Sequence, residues 1–368
     1  MKSAMSVLSI VIPCYNESKT LRDCVESVLS VDWKGVGLQI VIVDDGSKDD
    51  SLSIAHRLSE EHPLIQVIAH ERNSGKGAAL KTGFQAATGD FVAVQDADLE
   101  YDPNDLRRLL EPLLRGEADV VLGSRFLTTQ EHRVLHFWHS TGNKILTLLS
   151  NVFTDMNLTD METCYKVFRR EIIQGIELEE KRFGFEPEIV AKVADLRCRV
   201  YEMGISYHGR TYDEGKKIGF KDGLRALYCI IRYNAHRASL PIQFMVYSVV
   251  GGVAALFNLA CFLLLLSLGM NAIPAAIIAF ITAAVLNYYL CVKIVFRQQS
   301  KWKISTEIAV YCLVVIIGAL VDAAVTWTFI GGGMAPWLAK CVGTVVALAA
   351  NFLGRRFFVF GSNERKPW

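Results

Sequence analysis

Residues Phe91 to Pro103 read FVAVQDADLEYDP. An unbroken apolar run climbs out of a core and ends on two carboxylates, Asp96 and Asp98, with Glu100 two positions further on. Asp and Pro form ordinary turns, so the stretch alone could be a polar corner. Its neighbours decide otherwise. VLSIVIP, LQIVIVDDGS, IQVIAH and DVVLGSR are further β-branched runs, separated by helix-like segments such as TLRDCVESVLS and SLSIAHRLSEE. Continuous apolar strands alternating with helices predict a largely parallel α/β sheet covered on both faces. Ligands of such sheets bind at the carboxyl ends of the strands. Here those ends read Pro13-Cys14-Tyr15-Asn16-Glu17, Asp44-Asp45-Gly46-Ser47, Asp96-Ala97-Asp98 and Gly123-Ser124-Arg125. Polar groups at four strand ends predict a site.

The chain has 368 residues, of which 39 are basic and 38 acidic, so no global charge points to nucleic acid. Its hydrophobic share is 51%, and that excess is concentrated. From Ala238 to Val292 there is no Asp, Glu, Lys or Arg. Four apolar stretches, 242–267, 273–294, 307–330 and 335–355, are each able to cross a hydrocarbon core of ~30 Å, which takes about 20 residues. Lys and Arg cluster before the first, between the second and third, and after the fourth, while the two hairpin loops have none. The positive-inside rule then puts the large domain, the central loop and the C-terminus in the cytoplasm. The N-terminal apolar run breaks at Pro13 and reads as a strand and turn, not a signal peptide. The nine Cys show no paired metal spacing and read as small core or membrane residues.

Two further patterns mark the second half. Phe220, Leu224, Leu227, Tyr228 and Ile231 form a helical stripe flanked by Lys221, Arg225 and Arg232, as an interfacial helix on anionic lipid would. The tail also repeats itself. AALFN ending at Asn258 matches GALVD ending at Asp322, and NYYLCVKIVF from Asn287 matches NFLGRRFFVF from Asn351, both 64 residues apart. Parallel repeats of this kind occur in some transporters. Asp322 and Lys340 are charged positions inside the third and fourth spans, close enough along a short hairpin to pair.

The motifs SIVIPCYNES, IVIVDDGSKDD, NSGKGAALKTG, QDAD and GSRF, in that order, resemble the family 2 glycosyltransferases of GT-A fold over residues 6 to 210. The closer likeness is to dolichyl- or polyprenyl-phosphate sugar synthases, which move one sugar from a nucleotide to a lipid phosphate. The resemblance implies a Rossmann-like, mostly parallel GT-A domain over 1–212, and the amphipathic stripe and apolar spans add an interfacial segment over 213–239 and an all-α domain of four transmembrane helices over 240–368. It places Pro13, Tyr15 and Glu17 in the nucleotide pocket, Asp45 on the base or ribose, and Lys76 near the phosphates. Asp96 and Asp98 flank the diphosphate and its Mg²⁺ or Mn²⁺, with Glu100 as a third ligand; such an ion offsets charge on the leaving diphosphate. Arg125 holds the acceptor phosphate, with Arg133 and Arg210 as further candidates, since guanidinium meets phosphate oxygens in pairs. Asp160 and Glu162 stand in the loop that the family aims at the reacting centre. A base role for Asp160 is not required, because a phosphate monoester with second pKa near ~6 arrives ionised. Pro187 in FGFEPEIV reads as the first position of a helix, which would make Glu186 and Glu188 beside it structural.

The tail resembles GtrA-like four-helix modules over residues 240 to 360. The Gln-x-x-Arg-Trp motif of processive synthases does not occur. The expected reaction is transfer of a single glucose from UDP-glucose, or mannose from GDP-mannose, to a polyprenyl phosphate in the membrane, without nucleic acid and with homo-oligomerisation left open. Translocation of a lipid-linked sugar is the alternative from a different class.

Overall fold

The computed structural model describes residues 5–127, 134, 136–209, 219–297 and 302–360. Arg133 and Arg210 lie outside the described residues. The chain divides into two compact units, one reaching to Ile230 and one beginning at Ile231.

The first unit is a seven-stranded sheet. Its strands are β1 (Val7–Cys14), β2 (Gly37–Asp44), β3 (Ile65–Ala69), β4 (Phe91–Val94), β5 (Val120–Ser124), β6 (Lys166–Arg169) and β7 (Val200–Gly204), in spatial order 3-2-1-4-6-5-7. All pairings are parallel except those of β6, which runs antiparallel between β4 and β5. β4 and β5 are buried throughout and β2 over its last five residues, as two-sided coverage requires. Helices α1 (Leu21–Ser30), α2 (Ser51–Glu61), α3 (Lys76–Ala86) and α4 (Pro103–Leu114) connect the early strands. In α1 the buried residues are Leu21, Cys24, Val25 and Val28, the 3.6-residue stripe that faces a sheet. Helix α4 starts where the sequence says it should. Asp102 caps it through Asn104 N at 2.9 Å, and Pro103 occupies the first turn, where its missing N–H costs nothing.

Helices α5 (Phe137–Thr154), α6 (Arg170–Gln174), α7 (Phe185–Leu196) and α8 (Phe220–Asn234) complete this part. Pro187 is the third residue of α7 and not the first, because Phe185 and Glu186 already belong to the helix. In α8 the buried apolar residues are Ala226, Cys229, Ile230 and Tyr233, one register round from the stripe expected from sequence, whose Leu224 is exposed. Arg225 pairs with Glu180 at 2.7 Å.

The second unit holds α9 (Leu240–Ser267), α10 (Ala272–Leu290), α11 (Ile304–Gly331) and α12 (Pro336–Gly354). All four are long and apolar enough to cross a membrane. Leu240, Ser267, Ala272 and Leu290 bound the first hairpin; Ile304, Gly331, Pro336 and Gly354 bound the second, each 64 residues later. Both hairpins end in a π-helical turn, Cys291–Val295 and Arg355–Val359, at the same offset. Equivalent residues meet each other: Phe296 stacks on Phe360 at 4.4 Å, and Tyr247 and Tyr311 both lie against the Arg355 guanidinium, at 5.3 and 4.4 Å. Arg355 also donates to Asn287 at 2.7 Å, and Arg356 to Gln243. These two arginines, read from sequence as charges following the last span, are buried and knit the repeats together.

Candidate active site

Strand β1 lies between β2 and β4, so the loops after these three strands converge. The first two are laced by backbone-to-side-chain bonds. Asn16 N donates to Ser47 Oγ (3.0 Å), Glu17 N to Ser51 Oγ (2.9 Å) and Lys48 N to Asn16 Oδ1 (2.8 Å). Pro13, Tyr15 and Glu17 are half-buried on this rim. Asp45 is differently used. It is buried and accepts from His70 Nδ1 (2.7 Å), Ser74 N (2.9 Å) and Gly75 N (2.6 Å). In this geometry the carboxylate expected on the base or ribose is the anchor of the turn that carries Lys76. Gly46 makes the approach possible: with φ +70, any Cβ there would press on the backbone of Arg72 and Asn73.

Lys76, the first residue of α3, reaches back to β4. Its Nζ lies 3.0 Å from Asp96 Oδ1 and 3.3 Å from Glu186 Oε1. Burial opposes its charge, but nearby acidic groups, Asp96 the strongest and Glu186 among them, more than offset this and raise its pKa. The Asp98–Glu100 turn is strained at Leu99, whose φ of 62° is rare for a branched side chain. Asp98 Oδ1 accepts from Glu100 N at 3.2 Å. Glu100 itself is engaged elsewhere, for Tyr207 donates its hydroxyl to Oε2 at 2.8 Å and His208 N meets the Glu100 carbonyl at 2.9 Å. Among the described residues no three His, Cys, Asp or Glu side chains gather around one point as a metal cluster. Asp96 and Asp98 do share a neighbourhood. Burial, and then the charges of Asp98 and Asp96, push the Cys24 thiol up.

On the other side of the site Arg125, just past β5, forms a two-pronged pair with Asp160. Its Nε lies 2.7 Å from Oδ2 and its Nη2 2.8 Å from Oδ1. Asp160 is fully buried and accepts two more bonds, from Arg125 N (3.0 Å) and Asn143 Nδ2 (3.2 Å). Its lone pairs are thus committed, and a carboxylate so committed positions a guanidinium better than it removes a proton. The Arg125 guanidinium lies 5.1 Å from the Tyr207 ring centre, and Tyr101 sits between Tyr207 and Tyr165. Glu202 fixes the 159–160 backbone by accepting from both N–H groups at 2.9 and 3.1 Å. Sequence reading missed Tyr207, His70, Asn143 and Glu202. Tyr207 stands three residues before Arg210 in a stretch already singled out; the other three carry no local signal.

A mostly parallel sheet with a carboxylate pair and a lysine near one strand end and a braced arginine at another, in a chain that also has four helices long and apolar enough to cross a membrane, has the features of a membrane-anchored GT-A glycosyltransferase. The description "Glycosyl transferase family 2" matches residues 9–176, and "GtrA/DPMS, transmembrane domain" matches residues 246–360. The chain carries a family 2 glycosyltransferase domain joined to a GtrA/DPMS transmembrane domain, and it is an integral membrane protein. It is 25% identical over 357 residues to the dolichol-phosphate mannosyltransferase of Pyrococcus furiosus, covering 95% of this chain and 98% of that one. It is 29% identical over 286 residues to the undecaprenyl-phosphate 4-deoxy-4-formamido-L-arabinose transferase of Pseudomonas aeruginosa, covering 77% and 80%. The glucosyl-3-phosphoglycerate synthase of Mycobacterium tuberculosis, solved with Mn²⁺ and uridine-diphosphate, aligns with a TM-score of 0.49 at 20% identity, over 62% of this chain and 80% of that one.

Proposed function

We propose that this chain transfers one hexose from a nucleoside diphosphate donor to a polyprenyl phosphate at the cytoplasmic face of its membrane. The observation that carries the reading is the opposition of two charged centres on one sheet: Lys76 with Asp96 and Asp98 at the end of β4, and the Asp160-braced Arg125 at the end of β5. The first suits a diphosphate and its cation, the second a phosphate monoester. The names of the relatives support the lipid-phosphate acceptor.

Asp96 and Asp98 offer hard oxygen donors in one neighbourhood and fit Mg²⁺ or Mn²⁺, with diphosphate oxygens and water completing the shell. Glu100, the third ligand expected from sequence, has one oxygen, Oε2, held by Tyr207 and would reach the ion through Oε1. When bound, the ion supplies Lewis-acid stabilisation of the departing diphosphate. The protein's own groups do the rest. Lys76 adds a second positive charge on the donor side. Arg125, oriented by Asp160 and Tyr207, keeps the acceptor phosphate in line. That phosphate is already ionised, so orientation and charge neutralisation carry the reaction. UDP-glucose is the first candidate donor and GDP-mannose the second.

Purified protein is to be offered a panel of nucleotide sugars with polyprenyl phosphate and Mg²⁺ or Mn²⁺, and the lipid products weighed by mass spectrometry. A single mass increment of one sugar is expected. A ladder of increments would replace this reading with a processive synthase, and no lipid product from any donor would reject it.

A further inference from the structure

Two carboxylates beside this site have no task in the reaction as described. Glu186, in the first turn of α7, is 5% exposed. One of its oxygens meets Lys76 at 3.3 Å; the other is buried with no hydrogen-bond partner. Glu162, two residues after the Asp160 that braces Arg125, also has a buried oxygen, Oε1, without a partner. The two lie close enough to feel each other: burial, and next the Glu186 charge, push the Glu162 carboxyl up to about 8.

The place of Glu186 in the first turn of α7 and its contact with Lys76 account for one of its oxygens and leave the other without a hydrogen bond. Its neighbour Glu188 is committed through both oxygens, accepting from Glu179 N (2.7 Å) and Glu180 N (2.8 Å) and pairing with Lys192 at 2.6 Å. Glu186 and Glu162 do not suit a cation of their own, since the Lys76 ammonium already sits against Glu186. A phosphate would be repelled by them. The nucleoside is expected at the β1–β2 rim, where Pro13, Tyr15 and Glu17 stand, and no contact between that rim and Glu186 calls for a carboxylate. What remains between Lys76 and Arg125 is a neutral group rich in O–H donors.

We propose that Glu186 and Glu162 read the hydroxyl groups of the donor's sugar and so select which sugar is transferred. The proposal rests on the transferase reading above. Adjacent sugar hydroxyls can each donate to one carboxylate oxygen, and a protonated Glu162 can in turn donate to a hydroxyl oxygen. Buried acceptors that await a hydroxyl also reject a sugar lacking it, which is how a site gains specificity.

The test is calorimetric and uses the full chain in detergent with Mg²⁺. UDP is compared with UDP-glucose, and GDP with GDP-mannose, on the unaltered protein, Glu186→Gln and Glu162→Gln. In the unaltered protein one sugar nucleotide should bind more tightly than its nucleoside diphosphate. Each substitution should remove about tenfold or more of that sugar-dependent gain while leaving nucleoside diphosphate binding within about twofold. Deoxy analogues of the preferred donor, titrated into the unaltered protein, need no variant to fold: at least one should lose the same gain. Equal weakening of nucleotide and nucleotide sugar, no sugar-dependent gain at all, or indifference to every deoxy analogue would overturn the proposal. Failure of the transferase reading looks different, as an intact gain with no lipid product.

Discussion

At the scale of single residues the charged positions were legible in the sequence, but their partners were not. Asp96, Asp98 and Arg125 follow strand ends, as period and turn chemistry required, and Lys76 opens α3. Asp98→Asn should keep the fold and lower transfer on the order of 100-fold or more, because an anionic ligand becomes neutral. Initial rates at saturating donor check this; near-normal turnover by the variant in EDTA would remove the metal from the account. Asp45 and Asp160 show the limit of sequence reading. Both are acidic residues in loops, yet each is buried and spends its oxygens on groups far away in the chain: Asp45 on the 70–75 turn, Asp160 on Arg125 and Asn143. No local pattern announces such pairings. For Asp160 they lead to a distinct expectation. If it positions Arg125, Asp160→Asn should raise the KM for polyprenyl phosphate about tenfold and leave the shape of the pH–rate profile unchanged. Loss of the acid limb at saturating lipid would instead make Asp160 the base.

Whole elements were easier to foresee where apolar periodicity was strong. The runs that became β1 to β5, α1 and α2 were legible because each buries a continuous or 3.6-spaced apolar face. Strands β6 and β7 escaped. β6 is four residues, KVFR, and its Lys166 is fully buried, donating to the carbonyl oxygens of Met161 and Thr163; a buried lysine disguises a core strand. Helix α5 was visible as a helix but not as a surface. Its inner face sends Asn143 to Asp160 and Thr147 Oγ1 to Met161 N, while Phe137, Trp138, Ile145, Leu148 and Val152 stand exposed on the other. An apolar stripe of that length is costly in water and suits the headgroup boundary of a bilayer. With Trp138 as the sole tryptophan, in nanodiscs containing brominated lipid, its fluorescence should be quenched about as strongly as that of a sole Trp327 in α11. Quenching no greater than that of free tryptophan in the same suspension would mean that α5 faces water or protein.

Over the whole molecule, the duplicated hairpin was readable because matching motifs recur at one offset, and the helices and their π-helical ends keep it. The repeat also shows where the halves part company. Asp322 of α11 pairs with Lys340 of α12, and Thr344 Oγ1 lies 3.5 Å from the other Asp322 oxygen. The first hairpin has Asn258 and Ala276 at the equivalent positions, so this ion pair belongs to the second hairpin alone. At 1.5 Å per residue Asp322 lies roughly 13 Å from the α11 end at Gly331, well within an apolar layer. An unpaired charge at such depth costs at least ~2.5 kcal/mol, whereas a neutral pair of amides costs far less. Asp322→Asn strands the lysine and Lys340→Gln strands the aspartate, so each should lower the melting temperature in lipid nanodiscs by several degrees. The double change Asp322→Asn, Lys340→Gln should recover more than half of the larger loss. Sugar transfer in detergent should stay within about twofold of normal in all three variants, since none touches the catalytic sheet. Thermal melts of the four proteins form a double-mutant cycle, and strictly additive losses would mean that the two charges do not act on each other in the folded membrane domain.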